Sequence, residues 1–407
     1  MAASPQTHPQ NAYTRISKAL PILKGWAILW IVAFHLMGNT RGYLNLSESL
    51  QTLSQGNLKS TIDTTLELII AAGNTGVNIF LVISGFGLTA SWWKKYGSQG
   101  TSRLPLRDFW QKRVLRIFPL FWISVALAAL LYTANPAWAP FGQTLWQSGP
   151  LTLLSVFLAT VTTLRNVIPE YYYFLNGAWW YIGLSLQLYF IFPVLIQAGR
   201  HWGWSKLLLG TLLFSFAYRA VFAFAPIDSS WATVAFAFFP ARLFDFTFGI
   251  YLAITLLTSA PSHRLQNLLF NPFYLPVSLS CFLVGLTLKW INHPIFNIFE
   301  DAIITVSLFC TLICLSQLAT HPTLKVTAKV TDRLITPIVS ALFGRYSYGI
   351  YLTHMNVYLV LWPIATNLVS SYWPRFAIVA LLSCLIGAQF ERAYGLLESQ
   401  LRRQKIA

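Results

Sequence analysis

Residues 24–35 read K-G-W-A-I-L-W-I-V-A-F-H: Lys24, ten residues without a charge, then His35. At about 100° per residue, eleven steps return to within about 20° of the starting direction, so the two side chains share one face of a helix, roughly 16 Å apart along its axis. The apolar run extends from about residue 22 to 38, long enough to cross a bilayer. An imidazole halfway along such a segment is costly and needs a reason. One reason is a general base, since a neutral imidazole can take a proton from a hydroxyl near its reference pKa of about 6.5. A helix-to-helix hydrogen bond, worth only about 0.6 kcal/mol on average, explains a lone histidine equally well.

Outward from this stretch the same texture repeats. The 407 residues are 56% apolar, 16% aromatic and 10% charged, against about 25% charged in a soluble domain. The chain therefore reads as an all-α, polytopic membrane protein. A net charge of +16 raises nucleic acid as a partner, but the basic residues are scattered between apolar segments, not gathered on one face. Cys281, Cys310, Cys314 and Cys384 all lie in apolar stretches, which argues against an extracellular disulfide framework. No internal repeat and no metal-ligand spacing is visible.

Hydropathy gives spans near 22–38, 66–93, 116–134, 178–198, 205–225, 238–258, 273–291, 301–319, 338–363 and 375–394. Residues 151–164 are apolar but short of the ~20 residues a crossing needs, so they read as interfacial or re-entrant. Charge tests the count of ten. With the N-terminus inside, the cytoplasmic segments carry Arg15, Lys18 and Lys24; seven cations from Lys94 to Arg116; Arg200 and Lys206; Arg264; Lys325, Lys329 and Arg333; and four from Arg392 to Lys405. The outer segments carry only Arg41, Lys59, Arg165, Lys289 and Arg375. Counting 151–164 as a crossing would reverse the bias. The expected organisation is a disordered cytoplasmic tail over 1–20, a transmembrane domain over 21–394 and a cytoplasmic tail over 395–407.

Several polar groups are hard to place against lipid. Arg113 and Arg116, three apart, point to one side at the cytoplasmic mouth of the third span, spaced to hold a phosphate between two forked donors, with Arg107 and Lys112 beside them. Anchoring of the helix end is the plainer alternative. Gln187, in AWWYIGLSLQLYFIFP with Trp179, Trp180 and Tyr189, must find a partner in mid-helix. Arg242 and Asp245 are spaced for an i,i+3 pair, for which a structural salt bridge is the favoured role. Ser347, Tyr351 and His354 fall on roughly one face in GRYSYGIYLTH. Ser84 and Gly85 in GVNIFLVISGFGLT suit close helix approach, and the spacing of the glycines is not a dinucleotide fingerprint.

Taken in order, these motifs resemble acyltransferase family 3, the membrane O-acyltransferases, over about residues 15–394. Lys24 to His35 matches the family's basic residue, ten residues and histidine, with Lys where Arg is usual. Residues 76–89 match its second-helix segment, with Asn78 where Asp is common. Arg113 and Arg116 match its Arg-x-x-Arg pair. Residues 180–193 match a Trp-containing helix ending in Phe-Pro, with Gln187 where an acid is frequent, and residues 344–354 match G-R-x-S-Y-x-x-Y-L-x-H.

The resemblance implies transfer of an acyl group, usually acetyl, from cytoplasmic acetyl-CoA or another acyl-CoA to a hydroxyl, often on a sugar of a cell-surface or lipid-linked glycan, in the inner or plasma membrane. Lys24, Arg113 and Arg116 would then hold the coenzyme phosphates and His35 would be the general base, a covalent acyl-His intermediate being the less favoured variant. Ser84, Trp180, Gln187, Tyr189, Arg242, Asp245, Tyr351 and His354 are the candidates to line the substrate cavity. No metal and no nucleic acid is expected. A transporter or glycan exporter is the rival from another class. A different membrane acyltransferase fold, with His354 as its deep late-helix histidine, would leave Lys24 and His35 unexplained.

Overall fold

The computed structural model describes residues 9–97, 105–258, 263–318 and 336–404. Among the described residues all regular structure is helical, in the order α1 (Pro9–Thr40), α2 (Leu46–Gln55), α3 (Leu58–Ala71), α4 (Gly76–Lys95), α5 (Leu106–Ala134), α6 (Gln143–Trp146), α7 (Pro150–Val161), α8 (Trp180–Trp202), α9 (Trp204–Phe224), α10 (Ser229–Ala237), α11 (Phe239–Thr258), α12 (His263–Phe270), α13 (Leu275–Ile291), α14 (Pro294–Leu318), a π-helical segment (Val339–Gly344), α15 (Ser347–Leu368) and α16 (Tyr372–Gln404). The chain is a multi-pass membrane protein: nine described segments are long and apolar enough to cross a bilayer. The tenth expected span, 338–363, becomes the π segment followed by α15. With 22 residues, α15 has the length to cross, but it carries Tyr351, His354, Asn356 and Tyr358, all buried against neighbouring helices. Of the basic residues used to orient the chain, Arg103, Lys325, Lys329, Arg333 and Lys405 lie outside the described residues.

The helix that holds Lys24 and His35 is the hub. α1 packs against α4, α11, the π segment, α15 and α16, and different faces of it enter two separate cores. It also corrects the expected tail, because residues 9–20 are already helical. Ala12, Ile16, Ala19 and Leu23 form a buried stripe at spacings of four, three and four, and Tyr13 stacks on Phe86 at 5.8 Å. At the other end α16 runs past residue 394 to Gln404, with Arg402 and Glu398 paired at 2.6 Å on its exposed surface.

Close approach of helices is set by glycine at two crossings. A Cβ on Gly85 would stand 2.1 Å from the Phe246 carbonyl oxygen, and one on Gly249 would stand 2.1 Å from that of Val82, so α4 and α11 touch backbone to backbone. At the second, a Cβ on Gly344 would meet the Pro21 carbonyl oxygen at 2.0 Å, which seats the π segment directly on α1 below Lys24. Such single π turns recur at functional sites.

The short apolar stretch is a short helix followed by a reversal of the chain. α7 has 12 residues, about 18 Å of rise. Its last carbonyl, on Val161, accepts from Trp122 Nε1 at 3.0 Å, halfway along α5. The chain then reverses at Thr163, whose φ is 65°, and Asn166 packs on Gly183 of α8. Arg165, 1% exposed, holds the return: it donates to the carbonyls of Phe174 at 2.6 Å, Asn176 at 2.9 Å and Tyr172.

Candidate active site

Five helices that are distant in sequence bring their polar groups to one opening, and two of them supply its cations. Lys24 of α1 and Arg113 and Arg116 of α5 line the same cavity of about 300 Å³ together with Ser84 and Ser91 of α4, Tyr181, Ser185 and Tyr189 of α8, and Ser347, Tyr348 and Tyr351 of α15. The Arg113 guanidinium lies over the rings of Phe109 and Tyr189, 5.5 and 5.9 Å from their centres, while Ser84 Oγ reaches Tyr189 Oη at 3.5 Å. α5 is locked to α15 at this level by Tyr348 Oη, which donates to the Ile117 carbonyl at 2.7 Å. The cavity thus combines three cations and a set of hydroxyls with apolar side chains such as Ile31, Phe80 and Leu88, a lining suited to an anionic molecule with a flexible arm.

His35 does not line that cavity. Tyr181 and Tyr351 line it on the side of the imidazoles: their rings are 5.7 Å apart, the Tyr181 backbone N–H donates to Tyr351 Oη at 3.3 Å, and the Tyr351 ring centre lies 6.0 Å from that of His354. One helical turn beyond them His35 and His354 face each other with ring centres 5.3 Å apart. His354 is fully buried, and its Nδ1 lies 2.9 Å from the Tyr351 carbonyl oxygen and 3.1 Å from that of Ile350. Tyr358 Oη donates to the His35 carbonyl at 3.3 Å and accepts from Asn39 Nδ2. The histidine expected from the sequence and the one that was only a cavity candidate therefore form one unit, separated from the cavity by a layer of tyrosine.

Besides His354, four of the expected cavity residues lie elsewhere. Gln187 faces away: its Oε1 accepts from the Phe239 backbone N–H at 3.0 Å, capping α11, and its side chain borders a separate apolar groove between α5 and α8. Trp180 also turns outward, packing beside Tyr172, Val234 and Ala237, with its carbonyl accepting from Asn166 Nδ2 at 2.5 Å. The adjacent Trp179 makes the contact with α15, donating from Nε1 to the Leu352 carbonyl at 2.9 Å. Arg242 and Asp245 do pair, at 3.9 Å, but inside a larger ionic cluster remote from the cavity. There Asp301 lies 2.5 Å from both Arg219 and Arg242 and 3.2 Å from Lys289. Glu300 lies 3.2 Å from Arg219 and 3.7 Å from Lys289. Asp245 accepts from Thr305 Oγ1 at 2.7 Å, which in turn accepts from Asn78 at 2.8 Å. The cluster joins α4, α9, α11, α13 and α14, with three cations facing three anions.

Tyr181, Ser185 and Tyr348 are lining residues that the motifs did not mark. Glu391 is another omission: from α16 it accepts the Gly349 backbone N–H at 2.7 Å, capping the first turn of α15, and its charge lies beside Lys24 and Arg116. An acid ending the last apolar run, in F-E-R, was its one trace in the sequence. Against known proteins, the model of the acyltransferase family 3 domain matches residues 18–390. No curated protein and no solved structure matches the chain.

Proposed function

The chain belongs to this acyltransferase family and is a membrane acyltransferase, and from that premise we propose that it moves an acetyl group from cytoplasmic acetyl-CoA to a hydroxyl of a glycan sugar, with His35 as general base. The observation that carries the reading is that Lys24, Arg113 and Arg116 line one cavity together with Tyr351, whose ring centre lies 6.0 Å from that of His354, the neighbour of His35. The forked arginines suit the coenzyme phosphates and Lys24 adds a point charge. Tyr189, Tyr181 and the serines offer hydrogen bonds to the amides of the pantetheine arm, which brings the thioester towards the tyrosine layer. His35 takes the acceptor's proton, the hydroxyl oxygen attacks the thioester carbonyl, and the thiolate leaves with that proton returned to it.

The test is thioester consumption by the purified protein in nanodiscs, with acetyl-CoA and a hydroxyl acceptor, read as free thiol. His35→Ala keeps expression and fold and lowers the rate by about 10² to 10⁴. Full activity in that variant rejects His35 as base. Glycan mass spectrometry on a deletion strain, looking for sugars that lack one acetyl each, identifies the acceptor. An unaltered glycan profile rejects the acceptor class.

A further inference from the structure

The structure assigns His354 as the positioning residue that fixes the tautomer of His35, by accepting a hydrogen bond at Nε2 from His35 Nδ1–H. The assignment rests on the reading of His35 as the base. It starts from His354 itself. Carbonyl oxygens only accept, so the contacts of its Nδ1 with the carbonyls of Ile350 and Tyr351 place the proton on Nδ1. The Nε2 of the same ring is then a bare lone pair, buried and without a partner. An unsatisfied acceptor in a dry interior costs about 1–3 kcal/mol, so it calls for a donor.

The donor stands beside it. His35 Nδ1 is likewise buried and unpartnered, and among the described residues no carboxylate bonds either imidazole. The ring centres are 5.3 Å apart. A linear N–H···N bond of about 2.9 Å between nitrogens each about 1.2 Å from its ring centre needs about 5.3 Å. The separation therefore allows a bond between the two orphans when the His35 ring turns its Nδ1 towards His354 Nε2, the His354 ring staying on its two carbonyls. In that arrangement His35 presents its Nε2 lone pair outward as the base, and its rear nitrogen is held as the carboxylate holds the imidazole in a serine-protease triad. The difference is that the rear partner is a second imidazole whose own tautomer is fixed by the backbone of α15. When His35 accepts the substrate proton at Nε2, the positive charge is shared along His35 Nδ1–H, His354 Nε2, His354 Nδ1–H and the two carbonyls. When the thiolate takes that proton, the chain returns to its starting state.

Nitrogen-15 NMR of histidine-labelled protein in nanodiscs tests the assignment without any substrate, the two residues being identified from His35→Gln and His354→Gln. Both imidazoles are expected as neutral Nδ1–H tautomers. Finding His35 as the Nε2–H tautomer overturns the assignment. His354→Leu is expected to release His35 towards the Nε2–H form and to lower kcat by about 10–100-fold, the usual cost of losing an orienting partner, with KM for acetyl-CoA unchanged because the cations bind the donor elsewhere. His354→Gln retains an acceptor at the position of Nε2 and is expected to restore the tautomer and most of kcat. Equal behaviour of the Leu and Gln variants overturns the positioning role. Should His35→Ala keep full activity, the general-base reading falls on its own, while the tautomer spectra still decide the contact.

Discussion

Replacing Asp301 by Asn tests the ionic cluster most sharply, because one carboxylate there serves three cations. Asp301 is 3% exposed and lies 2.5 Å from Arg219, 2.5 Å from Arg242 and 3.2 Å from Lys289. Its amide would leave three buried cations against Asp245 and Glu300. Removing one partner of a buried ion pair costs about 3–5 kcal/mol, because the remaining charge stays desolvated, and the two short arginine contacts put Asp301→Asn towards the upper end. The measurement is the denaturant or SDS midpoint of the purified protein, followed by intrinsic tryptophan fluorescence. Pairing the change with Lys289→Met restores two cations to two anions, so the double variant is expected to recover a large part of the loss. A double-mutant cycle gives that coupling directly. Unchanged stability in Asp301→Asn would refute the structural role. Unchanged stability with lost acyl transfer would move the cluster into the chemistry.

Other perturbations separate the binding, packing and capping roles. Arg113→Ala removes a charge-assisted contact worth about 1.5–3 kcal/mol, so kcat/KM for acetyl-CoA falls roughly 10- to 150-fold, through KM and kcat together; an unchanged kcat/KM would return Arg113 to a merely topological role. Gly85→Leu drives a side chain into the Phe246 carbonyl, where even a Cβ would stand at 2.1 Å, and is expected to abolish the monodisperse folded peak in size-exclusion chromatography, whereas Gly87→Ala, with open space around it, keeps that peak. Gln187→Glu preserves the oxygen that accepts the Phe239 N–H and adds charge at a helix N-terminus, so thermal stability is held or raised; Gln187→Leu orphans that N–H and lowers stability by about 1–3 kcal/mol.

What the sequence disclosed depended on how far apart the interacting residues lie along the chain. Lys24 and His35 share one helix, Arg113 and Arg116 one turn, and Ser347 and Tyr351 another, so periodicity alone puts each set on a common face. That α7 is a short apolar helix of 12 residues was legible from length. The partners of Arg242 were not, because Arg219, Lys289, Glu300 and Asp301 sit on three other helices and only packing brings them together. Glu391 was hidden for the same reason. The misplacement of Gln187 and Trp180 has a different origin: α8 is apolar on most of its circumference, so hydropathy does not fix its rotation about its own axis. The helix over residues 9–20 escaped because its buried stripe is narrow, with Ala12 and Ala19 contributing little to any hydropathy window.

The tyrosine layer gives the proposed chemistry a physical order. A thioester that met water before its acceptor would be hydrolysed, and a continuous polar path from Lys24 past His35 would admit that water. Under the proposed mechanism Tyr181 and Tyr351, which both line the cationic cavity, are the groups that must part, and the one hydrogen bond between them, neutral and 3.3 Å long, contributes about 0.5–1.5 kcal/mol. Each charge-assisted contact between a coenzyme phosphate and an arginine is worth about 1.5–3 kcal/mol, so binding at Arg113 and Arg116 exceeds the cost of swinging Tyr351 aside. A fragment with the pantetheine arm but without the phosphates lacks that excess and leaves the layer shut. Under the proposed mechanism the cations therefore serve beyond affinity: they supply the free energy that lets the thioester reach His35, and only a donor held at both ends is delivered to the base.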